Sequence, residues 1–554
     1  MAADLIITGA RVLTMDAARP RAEAVAVAAG RIVAVGTAAE VLALAGPRTE
    51  VIAAEGRTLL PGFVESHMHL GFGGAELENL DLSGITGFAA VRAAFDRFAA
   101  AHPDRAVLFA QQAAYGIFGA DTTRHDLDRI LADRPIAMMA MDHHTVWANT
   151  LALERSGLLR GALMPPGHEV VMAADGLASG ELREFEAFGA VIDLAGTRRM
   201  NLGIATGAEP WPEPSAAERE TDKAHFRRGL AHCAKYGITT AVSMDGNRYA
   251  LSLLAEIEAE GGLTARCIVP FHMKPHMALD ELDRASAMDR DFRGDWVRSG
   301  FVKMFMDGVV DSRTAYMLQD YPGLPGHRSA PLFEPERFKD ICTEIDRRGL
   351  QIAVHAIGDG AQRVTIDGYE AARQRNGARD SRHRIEHIEL IDRADIPRLG
   401  QLGITASLQP SHPPGAMDFP LDAMEAVIPR QRWRDAYLTR TLVEAGAPLA
   451  FASDWPVADI NPLRSLQASQ TRVPFEGCQD ERVGLMAALH AYTAGGARAV
   501  HWEGLTGALT PGLAGDLVLI DGDVEAVAPD RLGTLGIALT VSGGRITHRG
   551  GRFA

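Results

Sequence analysis

The chain has 554 residues, 47% hydrophobic and 23% charged, a composition that excludes a disordered, collagen-like or disulfide-scaffold protein. Its 56 Lys and Arg against 71 Asp and Glu give a net charge of −15, which argues against nucleic acid or an anionic membrane as a partner. The four cysteines form no CxxC pair, and the opening MAADLIITGARVLTMD lacks the basic start of a secretory signal and any membrane-spanning run, so we expect a cytoplasmic protein.

Both ends of the chain predict short β-strands rich in Val and Ile and punctuated by Gly. At the start these are residues 5–14, 24–36 and 49–54, and the same pattern of Val, Ile and Gly recurs from residue 516 to the end. We therefore predict a small β-sandwich built jointly from residues 1–60 and 503–554. Two unrelated β appendages are the alternative.

The middle of the chain alternates short apolar runs with amphipathic segments such as PERFKDICTEIDRRG. Such alternation is typical of βαβ units and a parallel sheet. Eight strand candidates occur, at residues 59–70, 237–246, 267–273, 301–308, 351–360, 383–390, 404–412 and 448–456. We predict an α/β fold, a (β/α)₈ TIM barrel formed by residues 61–75 and 236–502.

The regular spacing is interrupted once. Between the first and second strand candidates, residues 76–235 show helical stretches and the string MDHHTVWANTLALERSGL without βα rhythm. We interpret this segment as a large insertion after the first barrel strand, placed to shape a substrate pocket.

His67 and His69 end the first barrel strand, in GFVESHMHL. Alternate side chains of a strand share a face, so both imidazoles can point one way and hold one divalent metal ion. Two surface histidines at a strand end are the alternative.

Candidates of the same kind lie in four other predicted strands: Lys303 in the fourth, His355 in the fifth, His387 in the sixth and Asp454 in the eighth. The carboxyl ends of barrel strands converge on one face, so these residues are expected to meet there. A lysine buried between metal ions must lose its proton or be carboxylated, and a carboxylated lysine can bridge two ions. Taken singly, each histidine could be a core residue and the lysine an edge residue. It is improbable, however, that such residues occur by chance at five matching strand ends, the one with His67 and His69 included.

With these motifs in view, the sequence resembles the metal-dependent amidohydrolase superfamily, and within it the amidohydrolase-3, YtcJ-like family that includes N-substituted formamide deformylases. The resemblance covers nearly the whole chain and rests on GFVESHMHL, VKMFMDG, HAIGDGA, RIEHIEL, FASDWPV and the tail YTAGGARAV–GALTPGLAGDLVLID. In the insertion, MDHHTVWANTLAL is also similar, but His143 replaces the usual small residue after Asp142, which puts substrate contacts in doubt.

The resemblance implies the ligand roles. His67, His69 and Asp454 would hold the first metal ion, His355 and His387 the second, and carboxylated Lys303 would bridge them. Two zinc ions per chain are the expected cofactor, although manganese, iron or cobalt would fit the same ligands.

This site predicts a hydrolase that cleaves the C–N bond of a small amide-type substrate, by attack of a metal-bound hydroxide with Asp454 as proton shuttle. His144 could orient the substrate from the insertion, or could be a packing histidine. Arg313 could grip a substrate carboxylate, or could form a structural salt bridge with Asp307 or Asp311. A barrel edge or the sandwich could support a homodimer.

Two other functions stay open. A single-metal deaminase of the same superfamily would usually carry a Glu three residues after the fifth-strand histidine, where this chain has Gly358. A catalytically dead scaffold that binds partners would be expected to lose metal ligands, whereas this chain keeps all of them.

Overall fold

The structure, a computed structural model, describes residues 2–165, 167–417, 421 and 428–553. The start of the chain forms strands β1 (Leu5–Leu13), β2 (Arg21–Ala28) and β3 (Arg31–Gly36), helix α1 (Ala38–Leu42), and strands β4 (Glu50–Ala53) and β5 (Thr58–Pro61). Strand β1 pairs antiparallel with β2 and parallel with β4 and β5. The Val- and Ile-rich runs of the sequence are therefore strands, as predicted.

The next segment begins with strand β6 (Phe63–Met68), which is buried along its whole length, and helix α2 (Leu70–Glu76). It is followed by a separate six-stranded sheet in the order β11-β12-β10-β9-β8-β7. These strands and the helices between them are β7 (Leu80–Asp81), α3 (Phe88–Ala101), β8 (Leu108–Ala113), α4 (Arg124–Ile130), β9 (Ile136–Ala140), β10 (Thr145–Ala148), α5 (Thr150–Arg155), β11 (Glu169–Met172), β12 (Ala178–Arg183), α6 (Phe185–Asp193) and α7 (Arg198–Thr206).

Helix α8 (Ala216–Lys235) separates this sheet from the parallel strands that follow. It begins at a capping box in which Ser215 and Glu218 satisfy each other's backbone N–H groups. It packs against α2 and against the next strand, β13 (Ile238–Ser243). The helix therefore covers the parallel strands, although its sequence lies in the segment expected to be the insertion.

The parallel strands follow with their connecting helices. After β13 these are α9 (Arg248–Ala259), β14 (Arg266–Ile268), β15 (Phe271–His272), α10 (Leu282–Asp291), β16 (Val297–Arg298), β17 (Phe301–Phe305), α11 (Pro335–Arg347), β18 (Gln351–Ala356), α12 (Asp359–Asn376), β19 (Arg384–His387), α13 (Ile396–Leu402), β20 (Thr405–Leu408), α14 (Thr439–Glu444), β21 (Leu449–Phe451), α15 (Pro462–Thr471), α16 (Leu485–Ala491) and α17 (Ala494–Ala499). Each of the eight strand candidates of the middle of the chain contains a strand.

The third strand candidate is divided at Val269 and Pro270. Its first half, β14, pairs with β13 in a sheet of order β16-β14-β13-β6, and its second half, β15, begins the sheet β15-β17-β18-β19-β20-β21. Proline has no N–H to donate to a neighbouring strand, which accounts for the break. Strands β18, β19 and β20 are buried throughout, as expected of parallel strands covered on both faces.

The end of the chain adds β22 (Leu517–Ile520), β23 (Ile537–Ser542) and β24 (Arg545–Arg549). Short 3₁₀ helices occur at Leu279–Glu281, Arg430–Asp435, Pro529–Thr534 and Gly551–Phe553. Strand β22 pairs antiparallel with β5, so strands from both ends form one eight-stranded sheet. Among the helices that the structure describes, none combines the length and hydropathy needed to span a membrane.

Candidate metal centre and active site

The first candidate metal site joins the ends of β6 and β21. The Nε2 atoms of His67 and His69 lie 3.1 and 3.3 Å from Oδ1 of Asp454. Met68, between the two histidines, is buried in the hydrophobic core, as strand alternation requires. All three ligand atoms lie within 4.8 Å of one another. Two imidazoles and one carboxylate at this separation suit a divalent transition-metal ion.

Buried carboxylates hold the other ring nitrogens of both histidines. The Nδ1 atom of His67 lies 2.7 Å from Glu386, and that of His69 lies 2.6 Å from Asp245. Arg384, fully buried, donates to Glu386 at 2.9 Å. Burial opposes a charged ring, but Asp245 outweighs it and raises the pKa of His69 to about 10. A carboxylate on Nδ1 turns Nε2 toward the ion and makes the imidazole a stronger ligand.

A second group of candidate ligands consists of His387, His412 and Asp454. The Nδ1 atom of His387 lies 3.0 Å from the amide oxygen of Gln409. His387 has a φ of 79° and Asp454 a φ of 62°, a left-handed backbone region that non-glycine residues seldom adopt. Such conformations concentrate at functional sites, where the surrounding structure enforces them.

His355 lies beside this group but outside it. Its ring centroid is 4.5 Å from that of His387, and its Nε2 faces the carbonyl oxygen of Gly308 at 3.1 Å. Thus the structure brings His355 to the centre, as expected, and adds His412 as a candidate ligand. His412 is not among the ligands that the sequence motifs imply.

Lys303 is buried among the candidate ligands. Its side chain is fully inaccessible, and no residue that the structure describes forms a hydrogen bond with its Nζ atom. Burial lowers the pKa of Lys303 to about 8, although the carboxylates of Glu386 and Asp454 act in the opposite direction. A buried amine without a partner is costly, so it indicates a group that the amine would meet when the site is filled. Together with the imidazole and carboxylate donors, it fits a metal centre.

The insertion contributes His144 to the same cavity. Its Nδ1 atom lies 2.7 Å from Glu184, which also accepts a hydrogen bond from Thr314 at 2.9 Å. Burial disfavours the imidazolium, but Glu184 more than compensates and raises the pKa of His144 to about 9. His144 is therefore protonated at neutral pH, and Glu184 fixes its orientation.

These side chains surround a cavity of about 90 Å³ at the carboxyl ends of the parallel strands. It is also lined by three carboxylates that the sequence did not lead us to expect there, Asp142, Asp311 and Glu389, and among the described residues no Lys or Arg lines it. Asp142 accepts from Tyr115 at 3.0 Å and Glu389 from Tyr437 at 3.0 Å. Position at a strand end could have identified Asp245 and Glu386, but not residues of the insertion.

Arg313 does not line this cavity. Its side chain is exposed and is not part of the cavity wall. Asp307, one of its suggested partners, instead accepts hydrogen bonds from the backbone N–H groups of Tyr316, Ile357 and Gly358, at 2.8, 3.0 and 2.9 Å. The structure thus gives Arg313 no position from which to grip a substrate in this cavity, and we assign it no role there.

The α/β fold and this collection of donors define a metal-dependent hydrolase. The sequence model described as "Amidohydrolase family" matches residues 50–548, and the chain belongs to that family. It is an enzyme of the amidohydrolase type, acting on carbon–nitrogen bonds other than peptide bonds. The resemblance drawn from the sequence motifs is confirmed.

Three curated relatives are similar over most of their length. Protein LONG AFTER FAR-RED 3 of Arabidopsis thaliana is 30% identical, over 94% of this chain and 87% of the relative. Putative amidohydrolase YtcJ of Bacillus subtilis is 27% identical, over 89% of each chain. N-substituted formamide deformylase of Arthrobacter pascens is 26% identical, over 98% of each chain.

Solved structures share the fold at lower identity. An uncharacterized metal-dependent hydrolase from Pyrococcus horikoshii OT3 has a TM-score of 0.73 at 22% identity, covering 95% of this chain and 99% of the other. Atrazine chlorohydrolase TrzN from Arthrobacter aurescens TC1, solved with zinc, has a TM-score of 0.54 at 14% identity, covering 98% and 94%. These similarities agree with the fold.

Proposed function

We propose that this chain hydrolyses the C–N bond of a small amide, using two divalent metal ions, zinc first among them. His67, His69 and Asp454 would hold the first ion, and His355 and His387 the second, with Lys303 carboxylated between them. The observation that carries the proposal is that ligand atoms of His67, His69 and Asp454 lie within 4.8 Å of one another, close to the buried amine of Lys303, whose Nζ atom has no hydrogen-bond partner among the described residues. The zinc in TrzN and the formamide substrate in the name of the deformylase are consistent with it.

The framework we propose around this site is a closed (β/α)₈ barrel with a β-sandwich from both ends of the chain. Two backbone hydrogen bonds between the ends of β21 and β6 support closure, Asp454 N to His67 O at 3.0 Å and His69 N to Trp455 O at 2.8 Å. We place the sandwich in residues 1–60 and 503–554, the barrel in 61–75 and 236–502, and the insertion in 76–235. The contacts of α8 with α2 and β13 support a position of the last part of that insertion against the barrel.

A divalent ion, when bound, lowers the pKa of water to about 7 and polarises a carbonyl oxygen. The remaining step, proton transfer, is carried out by a side chain of the protein. Burial would raise the pKa of Asp454, but His67 and His69 hold it well below its ordinary value, so the carboxylate is ionised and able to accept a proton. We assign Asp454 the transfer of that proton to the leaving nitrogen, because an amide nitrogen is a poor leaving group until it is protonated.

His144 takes the role of a substrate-orienting donor. Its imidazolium is held by Glu184 and lies 5.8 Å from the ring of His355, measured between centroids. From there its second nitrogen can donate to an oxygen of the substrate. The carboxylates of Asp142, Asp311 and Glu389, with no Lys or Arg in the described part of the cavity wall, disfavour an anionic group near the reacting bond.

The deaminase alternative loses support from Gly358. A Cβ atom at this position would lie 2.2 Å from the carbonyl oxygen of Tyr316, so the backbone here has no room for a glutamate side chain. A glutamate that acts as the proton shuttle of a deaminase therefore does not fit at position 358.

Elemental analysis of the purified protein together with a substrate screen tests the proposal. We expect two metal ions per chain and release of amines from N-formyl, N-acyl or N-carbamoyl compounds, with activity lost on chelation and restored by zinc. Release of ammonia from aminopurines or aminopyrimidines, with one ion and no amide turnover, would favour the deaminase. A protein that binds no metal would favour the scaffold.

A further inference from the structure

A second and larger cavity adjoins the one that contains the candidate metal ligands. It has a volume of about 360 Å³, against about 90 Å³ for the first. We call it the side chamber; its walls come from the insertion (Pro165, Phe185, Ile204) and from loops at the carboxyl ends of the parallel strands (Met273, Leu332, Phe333). Its volume is typical of sites that bind small molecules, about 300–1,000 Å³.

The two cavities share part of their walls. His144, Phe185, Ile204 and Phe305 line both of them. Phe305 lies directly beside the candidate metal ligands, because its ring centroid is 4.9 Å from that of His355. On the same measure the smaller cavity has about a quarter of the volume of the side chamber. A substrate with a large substituent next to its reacting amide group therefore has the side chamber as the adjoining space.

The chamber walls are mostly apolar, and their charged side chains interact with other groups of the protein. Glu184 is bound to His144 at 2.7 Å. Lys274, the one Lys or Arg among the described residues of the chamber wall, donates to the carbonyl oxygen of Ile204 and is also attracted by Glu186. Asp307, which also lines the chamber, accepts hydrogen bonds from three backbone N–H groups, so burial of hydrocarbon is the main source of binding free energy.

We propose that the side chamber binds an uncharged aromatic or alkyl substituent of the substrate amide, so that the enzyme prefers amides with one large apolar arm. This inference rests on the proposed function and specifies its substrate class. Burying an arm the size of a Leu or Phe side chain gives about 10- to 100-fold in affinity or in kcat/KM.

Two matched amide series test the preference, with the arm on nitrogen in one and on the acyl carbon in the other. Each series contains methyl, hexyl, phenethyl and 5-carboxypentyl arms. We expect kcat/KM to rise about 10- to 100-fold from methyl to hexyl or phenethyl in one of the two series. Equal rates along both series, or a preference for the carboxylate arm, would overturn the inference while leaving amide hydrolysis intact.

Variants that fill the side chamber test whether this cavity causes the preference for large apolar arms. Ala205, at the end of α7, lines the chamber, so Ala205→Trp should remove the gain given by the large arms. Leu332→Trp fills the chamber from the barrel side and should act in the same way, which guards against misfolding of one variant. Ala195→Trp is the matched control, because Ala195 is exposed and lines neither cavity; it should keep the preference. Filling variants with an unchanged preference would contradict the proposal.

Binding of ketones separates this inference from the proposed function, because a ketone has no C–N bond to cleave. Calorimetry should show 2-nonanone binding about 10- to 100-fold more tightly than acetone, with the difference lost in Ala205→Trp. If that holds and no amide is hydrolysed, the reaction is wrong and the chamber stands as a binding site. Equal affinity for both ketones would count against the chamber itself.

Discussion

The backbone N–H of Asp454 donates a 3.0 Å hydrogen bond to the carbonyl oxygen of His67. The bond connects the end of the last parallel strand to the end of the first, and it places the carboxylate Oδ1 of Asp454 3.1 Å from the imidazole Nε2 of His67. Backbone pairing thus sets the separation of two candidate metal ligands that lie far apart in the sequence.

Asp454→Asn separates metal binding from proton transfer. Asparagine tolerates the left-handed backbone at this position and keeps one oxygen ligand, but it cannot accept a proton. We expect kcat to fall by about 10²–10⁴-fold while part of the metal stays bound. Steady-state kinetics and elemental analysis of the same preparation check this, and near-normal kcat would refute the role of Asp454 as base.

Asp245→Asn tests the support behind His69. The variant weakens the 2.6 Å interaction with Nδ1 that orients the ring, so metal affinity should fall by about 10- to 100-fold. Titration of metal-free protein with zinc measures the change. Asp283→Asn, at an exposed carboxylate on α10, is the control and should bind zinc normally. Equal affinities of the two variants would contradict an orienting role.

Lys303→Met should have opposite effects on metal binding and on the stability of the metal-free protein. Methionine fills similar space without leaving a buried nitrogen that has no described partner, so the free energy of unfolding of the metal-free form should rise, by about 1–3 kcal/mol. The same change removes the proposed bridge, so metal content should fall from two ions to one. Thermal unfolding and elemental analysis are the measurements. A variant with two ions would exclude Lys303 as a ligand.

The pair formed by His144 and Glu184 predicts an alkaline limit of activity. Burial opposes the imidazolium, but Glu184 raises the pKa of His144 from 6.5 to about 9, so the charged donor is present below pH 9 and lost above it. The stability that this pair contributes is complete below pH 6.5 and disappears as the pH rises through 9. Glu184→Gln should shift the alkaline limb of the kcat/KM profile toward pH 6.5. An unchanged alkaline limb would show that a group other than His144 causes the loss of activity at high pH.

Arg313→Ala should have little effect on catalysis. The side chain is exposed and outside the cavity wall, so KM for amides with and without a carboxylate should change by no more than about twofold. Steady-state kinetics on a matched pair of substrates measures this. A large rise of KM for the carboxylate-bearing substrate alone would restore the role suggested by the sequence.

The strands could be predicted from local pattern. Apolar runs such as those containing β18 and β20 are buried on both faces, and burial of this kind is visible in the sequence as continuous hydrophobicity. The rule that barrel strand ends converge was then enough to bring His67, His355 and Asp454 to one place. The break in the third strand at Pro270 was not expected, although a proline in a strand is a reason for one.

The sequence by itself determined the family, the strands and the candidate ligand residues, because periodicity and motif spacing are local properties. The tertiary structure alone decided which nitrogen of His69 faces Asp245, that Glu184 holds His144, that Arg313 lies outside the cavity wall, and that a side chamber adjoins the cavity. These features depend on contacts between different parallel strands and between those strands and residues 76–235. No periodicity records such contacts, because the free energy that selects them comes from the packing of surfaces that are distant in sequence.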